Sequence, residues 1–223
     1  MHTEILDARR VSLLRALLTL PELESFYLAG GTALSLQLGL RVSVDFDFFA
    51  ERRFNADAVC AAIKELCPST RVIFQDADTC DLMVDGIQVS LFRYPYPLCE
   101  EPVRGNGPLD RLSMASVSDI AAMKLSAIGS RGSRKDFYDL YEIYRQCPSF
   151  SGDRLLAAAR TKFGQNTDLT YMLMGLTYFD DAESETLPKL FIPADWADIK
   201  AFFRDEQQRL FSLEEARFRK KMT

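Results

Sequence analysis

The sequence predicts an α+β fold, a mixed sheet with flanking helices followed by a wholly helical C-terminal half. Three observations predict it. Strand-like runs fall before about residue 115, and helical periods dominate after it. Asp85-Gly86 stands between two apolar runs, which signals a β-hairpin. Residues 26–49, FYLAGGTALSLQLGLRVSVDFDFF, read as strand, glycine turn, short helix and strand. The expected organisation is a core over residues 1–115 and a helical subdomain over 116–223.

In chain order, residues 5–20 carry apolar side chains at helical spacing and stop at Pro21. The run 26–29 is a short strand ending in Gly30-Gly31-Thr32, and 33–38 is a helix closed by Gly39. In Val44-Asp45-Phe46-Asp47-Phe48 the pattern alternates, so Val44, Phe46 and Phe48 are expected in the core. Asn55 caps a helix that Pro68 ends, and residues 71–74 form a strand. The hairpin strands are 82–84 and 87–94, and Asp85 belongs to the turn. The loop 95–108 is rich in proline, and 109–114 adds a short edge strand. Ser116 and Asp119 resemble a capping box for a helix to about Gly129. Further helices are expected over 134–146, 152–163, 168–179 and 195–220.

Composition removes several classes of chemistry. With 48% hydrophobic and 26% charged residues this is an ordinary soluble globular chain. No run approaches the ~18 apolar residues of a membrane helix, and the charged start is unlike a secretory signal, so a cytoplasmic protein without membrane contact is expected. The single histidine, His2, leaves no Ser-His-Asp triad and no His-ligated zinc. Cys60, Cys67, Cys80, Cys99 and Cys147 lack C-x-x-C spacing and read as reduced thiols. A net charge of −5 argues against broad nucleic-acid affinity, though not against a local basic patch. The available chemistry is therefore carboxylates, Lys and Arg, with a hard metal.

Asp45 and Asp47, at i and i+2 of a strand, aim two carboxylates at one spot, and a hard divalent cation such as Mg²⁺ relieves their repulsion. Gly30 and Gly31 let the backbone approach a ligand closely. The following helix N-terminus offers N–H groups to an anion, and Thr32 adds a hydroxyl. Taken separately, a Gly-Gly turn is commonly just a turn, and D-x-D is commonly solvated edge charge. Together, with aromatic neighbours beside the acids, they form a phosphate cradle next to a metal-binding pair. That is what a nucleoside triphosphate requires.

The pattern GG-T-(x)n-R-x-S-x-D-x-D-F-F resembles the DNA polymerase β-like nucleotidyltransferase superfamily, and more narrowly the AbiEii/AbiGii toxin family. Gly30, Gly31, Thr32, Arg41, Ser43, Asp45, Asp47, Phe48 and Phe49 carry the first block, and residues 119–141 carry a second. Beyond about Gln146 the likeness is weak. The resemblance implies a polymerase β-like core and a bacterial toxin neutralised by a cognate antitoxin. It also implies transfer of a nucleoside monophosphate to an acceptor hydroxyl such as the tRNA 3′ end. Arg41 and Ser43 join Gly30, Gly31 and Thr32 as nucleotide-binding candidates, and Asp45 and Asp47 are the metal-binding and catalytic pair. Lys124 is implied to meet the triphosphate, where the residues alone suggest a surface lysine. Asp136 has two readings, a helix-cap partner of Ser133, or a catalytic site acid that replaces the missing third carboxylate or orients Lys124. Asp139 reads as structural, paired with Lys135 at i+4.

Arg131, with Arg134 and Lys135, forms a basic cluster that either is a solvated face or grips triphosphate or an RNA backbone. The basic tail of Arg217, Arg219, Lys220 and Lys221 suits a helix C-terminus. The family's usual third carboxylate is replaced by Ser90, or by Gln88, on the second hairpin strand. Two rival functions stay open: nucleotidylation of a protein hydroxyl, and a non-catalytic nucleotide- or partner-binding module.

Overall fold

The computed structural model describes residues 1–222, with side chains described through Lys220. The chain divides into two compact units, Met1–Ser116 and Val117–Thr223.

The N-terminal unit is built on one seven-stranded mixed sheet. Its strands are β1 (Tyr27–Leu28), β2 (Phe46–Ala50), β3 (Arg71–Gln75), β4 (Thr79–Val84), β5 (Ile87–Arg93), β6 (Val103–Arg104) and β7 (Ser113–Met114), in the order β3-β4-β5-β2-β1-β7-β6. β2 runs antiparallel to β1 and parallel to β5, and β5 runs antiparallel to β4. The helices are α1 (Ala8–Leu17), α2 (Gly30–Leu38) and α3 (Ala56–Leu66). Burial alternates along β2 and β4, so Phe46, Phe48, Cys80 and Leu82 enter the core with Val89 and Leu91. Burying Phe46 and Phe48 stabilises by roughly 1.5–3 kcal/mol each. That is enough to hold the polar side chains between them on the opposite face.

The hairpin forms as expected, with Asp85 (φ 50°) and Gly86 (φ 74°) both left-handed and Val84 opposite Ile87. Such a two-residue turn matches the twist of its strands.

Several expectations are corrected here. The first helix is shorter than 5–20: Asp7 caps α1 by accepting from the Arg10 N–H, and 3₁₀ turns flank it at Thr3–Ile5 and Pro21–Leu23. Val44 lies outside β2 and is 44% exposed, so the core alternation begins at Phe46. β7 is no edge strand, since it pairs with both β1 and β6. Cys60 and Cys80, predicted as reduced thiols, are joined as a disulfide between α3 and β4, while Cys67, Cys99 and Cys147 form no disulfide among the described residues.

The C-terminal unit is helical: α4 (Val117–Ser130), α5 (Arg134–Gln146), α6 (Gly152–Phe163), α7 (Thr170–Gly175), α8 (Asp180–Glu183) and α9 (Trp196–Met222). The single helix expected over 168–179 is instead α7 followed by a turn, with α8 after it. α4 packs against α5, α6 and α7, with Phe137 at the centre of an aromatic group that includes Phe179, Trp196 and Phe203. Asp119 lies in the first turn of α4. It is fully buried and ion-paired at 2.8 Å to Lys162, itself fully buried. In the tail, Arg217 donates to the Gln165 carbonyl, and the Lys221 side chain lies outside the described residues.

Removing one member of a buried pair leaves an uncompensated charge in the core. Lys162→Ala is therefore expected to destabilise the full chain by about 3–5 kcal/mol in denaturant unfolding. Replacing both Lys162 and Asp119 with apolar residues should cost less than the single change.

Candidate active site

α2 begins at Gly30, so Gly30, Gly31 and Thr32 are its first turn and not a linker before it. No side chain caps this N-terminus, whereas α1, α3 and α6 are capped by Asp7, Asn55 and Ser151. Gly30 is left-handed (φ 66°), and a Cβ built there would lie 2.9 Å from Asp47 Oδ2. A Cβ on Gly31 would lie 2.2 Å from Arg41 Nη2. The two glycines are thus bare backbone against which a carboxylate and a guanidinium close in. Arg41 is only 4% exposed, so its charge is held beside the first turn of the helix. The helix dipole and this guanidinium both favour an anion there.

Thr32 and Ser43 are buried, and their hydroxyl oxygens lie 2.7 Å apart. Thr32 also contacts the Asp45 carbonyl at 2.5 Å. A carbonyl only accepts, so Thr32 gives its single proton to Asp45 and the Ser43 hydroxyl donates to Thr32. The Ala29 N–H donates to the Asp47 carbonyl at 3.0 Å. Both aspartates are therefore fixed by their backbones to the glycine turn. Thr32 and Ser43, expected at the phosphates, use their hydroxyls to fasten the acid-bearing chain.

The acid row extends further than the D-x-D pair. Asp47 stands opposite Ser90 on β5, and Ser90 stands opposite Asp81 on β4, so the three share one face of the sheet. Ser90 donates to Asp81 Oδ1 at 2.7 Å, and the Gln88 amide lies 3.0 and 3.2 Å from the two Asp81 oxygens. Sequence reasoning missed Asp81. Counting back from the two-residue turn at 85–86 pairs 84 with 87 and hence 81 with 90, so the signal was present. Along the same face, Phe49 lies opposite Phe92, their rings 5.3 Å apart. Tyr94 is 5.5 Å from Phe49, and Tyr96 is 4.7 Å from Tyr94.

Among the described residues no group of three His, Cys, Asp or Glu side chains is gathered closely enough to hold a metal. Asp45 and Asp47 still suit Mg²⁺, which typically takes one or two carboxylates and completes its shell with water and substrate phosphates.

In the C-terminal unit Lys124 is buried, not on the surface. Its Nζ lies 2.7 Å from Asp136 Oδ1 and 2.6 Å from Asp139 Oδ2, and both aspartates are fully buried. Asp139 thus pairs with Lys124 and not with Lys135. The Arg131 Nε donates to Asp136 Oδ2 at 3.0 Å, while its side chain remains 62% exposed. Ser133 forms no cap with Asp136. Its hydroxyl donates to Glu185, which also accepts the Arg134 N–H that opens α5.

Burial pushes the Asp136 carboxyl up, but the Lys124 ammonium and the Arg131 guanidinium outweigh it and hold the group below its ordinary value of 3.8. The unfolded chain binds this proton more readily, so the stability it contributes is complete above about pH 4 and is lost as pH falls through the depressed native value. Asp136→Asn should therefore flatten the acid side of a stability–pH curve read by thermal unfolding, with least change of slope near neutrality. At the glycine turn, Gly31→Ala should destabilise by about 1–3 kcal/mol through overpacking against Arg41. A double-mutant cycle with Arg41→Ala should show that most of this cost disappears when the guanidinium is gone.

Residues 12–223 match the family model described as nucleotidyl transferase AbiEii toxin of a type IV toxin–antitoxin system. An uncharacterized protein of Aquifex aeolicus is 37% identical over 181 residues, covering 80% of this chain and 84% of its own. The fold is similar to that of MenT4, a nucleotidyltransferase toxin of Mycobacterium tuberculosis, with a TM-score of 0.59, 18% identity, and 91% and 82% of the two chains covered. It is also similar to a candidate nucleotidyltransferase of Helicobacter pylori, with a TM-score of 0.56, 19% identity, and 93% and 99% covered. With a mixed sheet carrying the acid row and a glycine turn against it, the chain belongs to the AbiEii nucleotidyltransferase toxin family.

Proposed function

We propose that this protein is a cytoplasmic, Mg²⁺-dependent nucleotidyltransferase that moves a nucleoside monophosphate from a nucleoside triphosphate to an acceptor hydroxyl. Its toxic action would be countered by a cognate antitoxin. The observation that carries the reading is the fastening of Asp45 and Asp47 to an uncapped helix start, with Asp47 Oδ2 pressed against Gly30. No helix is long and apolar enough to cross a membrane among the described residues.

The residues divide the work as follows. The N–H groups of the Gly30–Thr32 turn take phosphate oxygens, and the Arg41 charge behind Gly31 adds to their attraction. Asp45 and Asp47 hold the ion, which when bound supplies charge neutralisation at the reacting phosphate. Thr32 and Ser43 act through Asp45 as positioning residues. In the C-terminal unit, Asp136 acts as a positioning residue for the basic pair Lys124 and Arg131. Position and electrostatics suffice for transfer of this kind, because the protein does little covalent chemistry.

An RNA acceptor, with a tRNA 3′ end as the first candidate, is favoured by the aromatic row of Phe49, Phe92, Tyr94 and Tyr96. It lies on the same face as Asp47 and offers ring surfaces on which a terminal base can stack.

The test is labelled nucleoside triphosphate supplied with Mg²⁺, total RNA and a protein lysate. Label is expected on RNA. Label on protein would replace the acceptor with a protein hydroxyl, and binding without transfer would leave a nucleotide-binding module. Asp45→Ala and Asp47→Ala should each lower turnover by orders of magnitude with unfolding midpoints near wild type. A fully active variant at either position would end the enzyme reading.

A further inference from the structure

The hairpin supplies an acid that the D-x-D pair does not account for. We propose that Asp81 is a catalytic residue of this site, the general base that takes the proton from the acceptor hydroxyl, with Ser90 and Gln88 as the residues that position it. The inference rests on the nucleotidyl-transfer reading above and names the group that activates the nucleophile.

Three observations carry it. First, strand register places Asp47, Ser90 and Asp81 in one row on one face. Two strand spacings separate the aspartates, roughly 9–10 Å between their backbones. Asp47 Oδ2 lies on the Gly30 side of the row and Asp81 Oδ1 on the Ser90 side, so Ser90 is the middle position and Asp81 the acid at the far end.

Second, the gap has a floor and the base is oriented. Ser90 is 3% exposed and lies between the two acids, with its proton committed to Asp81 Oδ1. The Gln88 amide donates to the same carboxylate, 3.0 Å from Oδ1 and 3.2 Å from Oδ2. Oδ2 receives only the longer of the two amide contacts among the described residues, so it is the oxygen with room for an incoming proton. Both donors that the described residues offer Asp81, the Ser90 hydroxyl and the Gln88 amide, are neutral groups. The carboxylate is thereby fixed in place without a cation to cancel its charge, unlike Asp136 and Asp139.

Third, Asp81 is only half-buried, whereas the serine beneath it is covered. The acid, and not Ser90, is the member of the pair that a substrate reaches.

The step balances. The acceptor oxygen forms its bond to the α-phosphorus as the bond from that phosphorus to the bridging oxygen breaks, and pyrophosphate leaves with that electron pair. The acceptor's proton passes to Asp81 Oδ2 and then to solvent.

The experiment measures transfer of labelled nucleotide to RNA by the full chain, with nucleotide affinity measured separately by equilibrium dialysis. Asp81→Asn keeps the size and the contacts with Ser90 and Gln88, and it should lower kcat by about 100-fold or more. Nucleotide Kd and the unfolding midpoint should stay near wild type. Ser90→Ala should give a smaller loss of kcat, and Ser90→Thr, which retains the hydroxyl, should recover most of it. A rate within threefold of wild type for Asp81→Asn, while Asp45→Ala is inactive, overturns the proposal and leaves nucleotidyl transfer standing. If Asp81→Asn fails to fold, wild-type kcat in both Ser90→Ala and Gln88→Ala overturns it equally. Absence of transfer by the wild-type chain removes the underlying reading instead.

Discussion

The hydrogen bond from Thr32 to the Asp45 carbonyl is a small contact on which the arrangement of the N-terminal unit depends. β2 is only five residues long, and Asp45 precedes it, so the sheet ladder does not reach the first acid. What fixes that segment is a hydroxyl from the first turn of α2, itself steadied by Ser43. A bond of this kind contributes about 1 kcal/mol net, but leaving its buried partners unsatisfied costs about 1–3 kcal/mol. The larger figure sets the constraint. Once the carbonyl is tied down, Asp47 lies over Gly30 and Arg41 over Gly31, and a side chain on either glycine would have to push the carboxylate or the guanidinium aside. Sequence, turn and acid pair are therefore one mechanical unit.

The two units hold their acids in opposite ways. In the helical unit Asp119, Asp136 and Asp139 are fully buried, and each is met by a lysine ammonium. An ammonium at ion-pair distance offsets the charge of each. In the sheet unit Asp81 is steadied by a hydroxyl and an amide. Neutral donors set a carboxylate's direction without cancelling its charge. The negative charge left on the sheet face is the kind that a cation or a proton from a ligand completes.

How much of this was legible in the sequence depended on whether one element or two carried the information. The alternation from Phe46 to Phe48, the Asp-Gly hairpin and the glycine turn each sit within a single local stretch, and local periods display them. Val44 reads as part of the same alternation, yet no strand pairs with it, so burial stops one residue short. Lys124 and Asp119 look like surface and cap residues because their partners, Asp136, Asp139 and Lys162, lie on other helices. Cys60 and Cys80 are twenty positions apart on a helix and a strand, a pairing no C-x-x-C spacing announces. Asp81 is the intermediate case. It was reachable by counting across the turn, but only after asking which residue faces Ser90.

Serine in place of an acid directly opposite Asp47 has an electrostatic consequence. Two carboxylates on adjacent strands would stand about 5 Å apart and repel by roughly 3 kcal/mol at an effective dielectric near 20, before any cation arrives. Moving the acid one strand further doubles the separation and halves that repulsion, to roughly 1.7 kcal/mol. The site keeps three carboxylates: Asp45, which precedes β2, and Asp47 and Asp81, which share one sheet face. The third stands off behind a serine that fixes its direction. A sheet can relocate an acid in this way because register sends partners on neighbouring strands to the same face, whichever strand supplies the carboxylate.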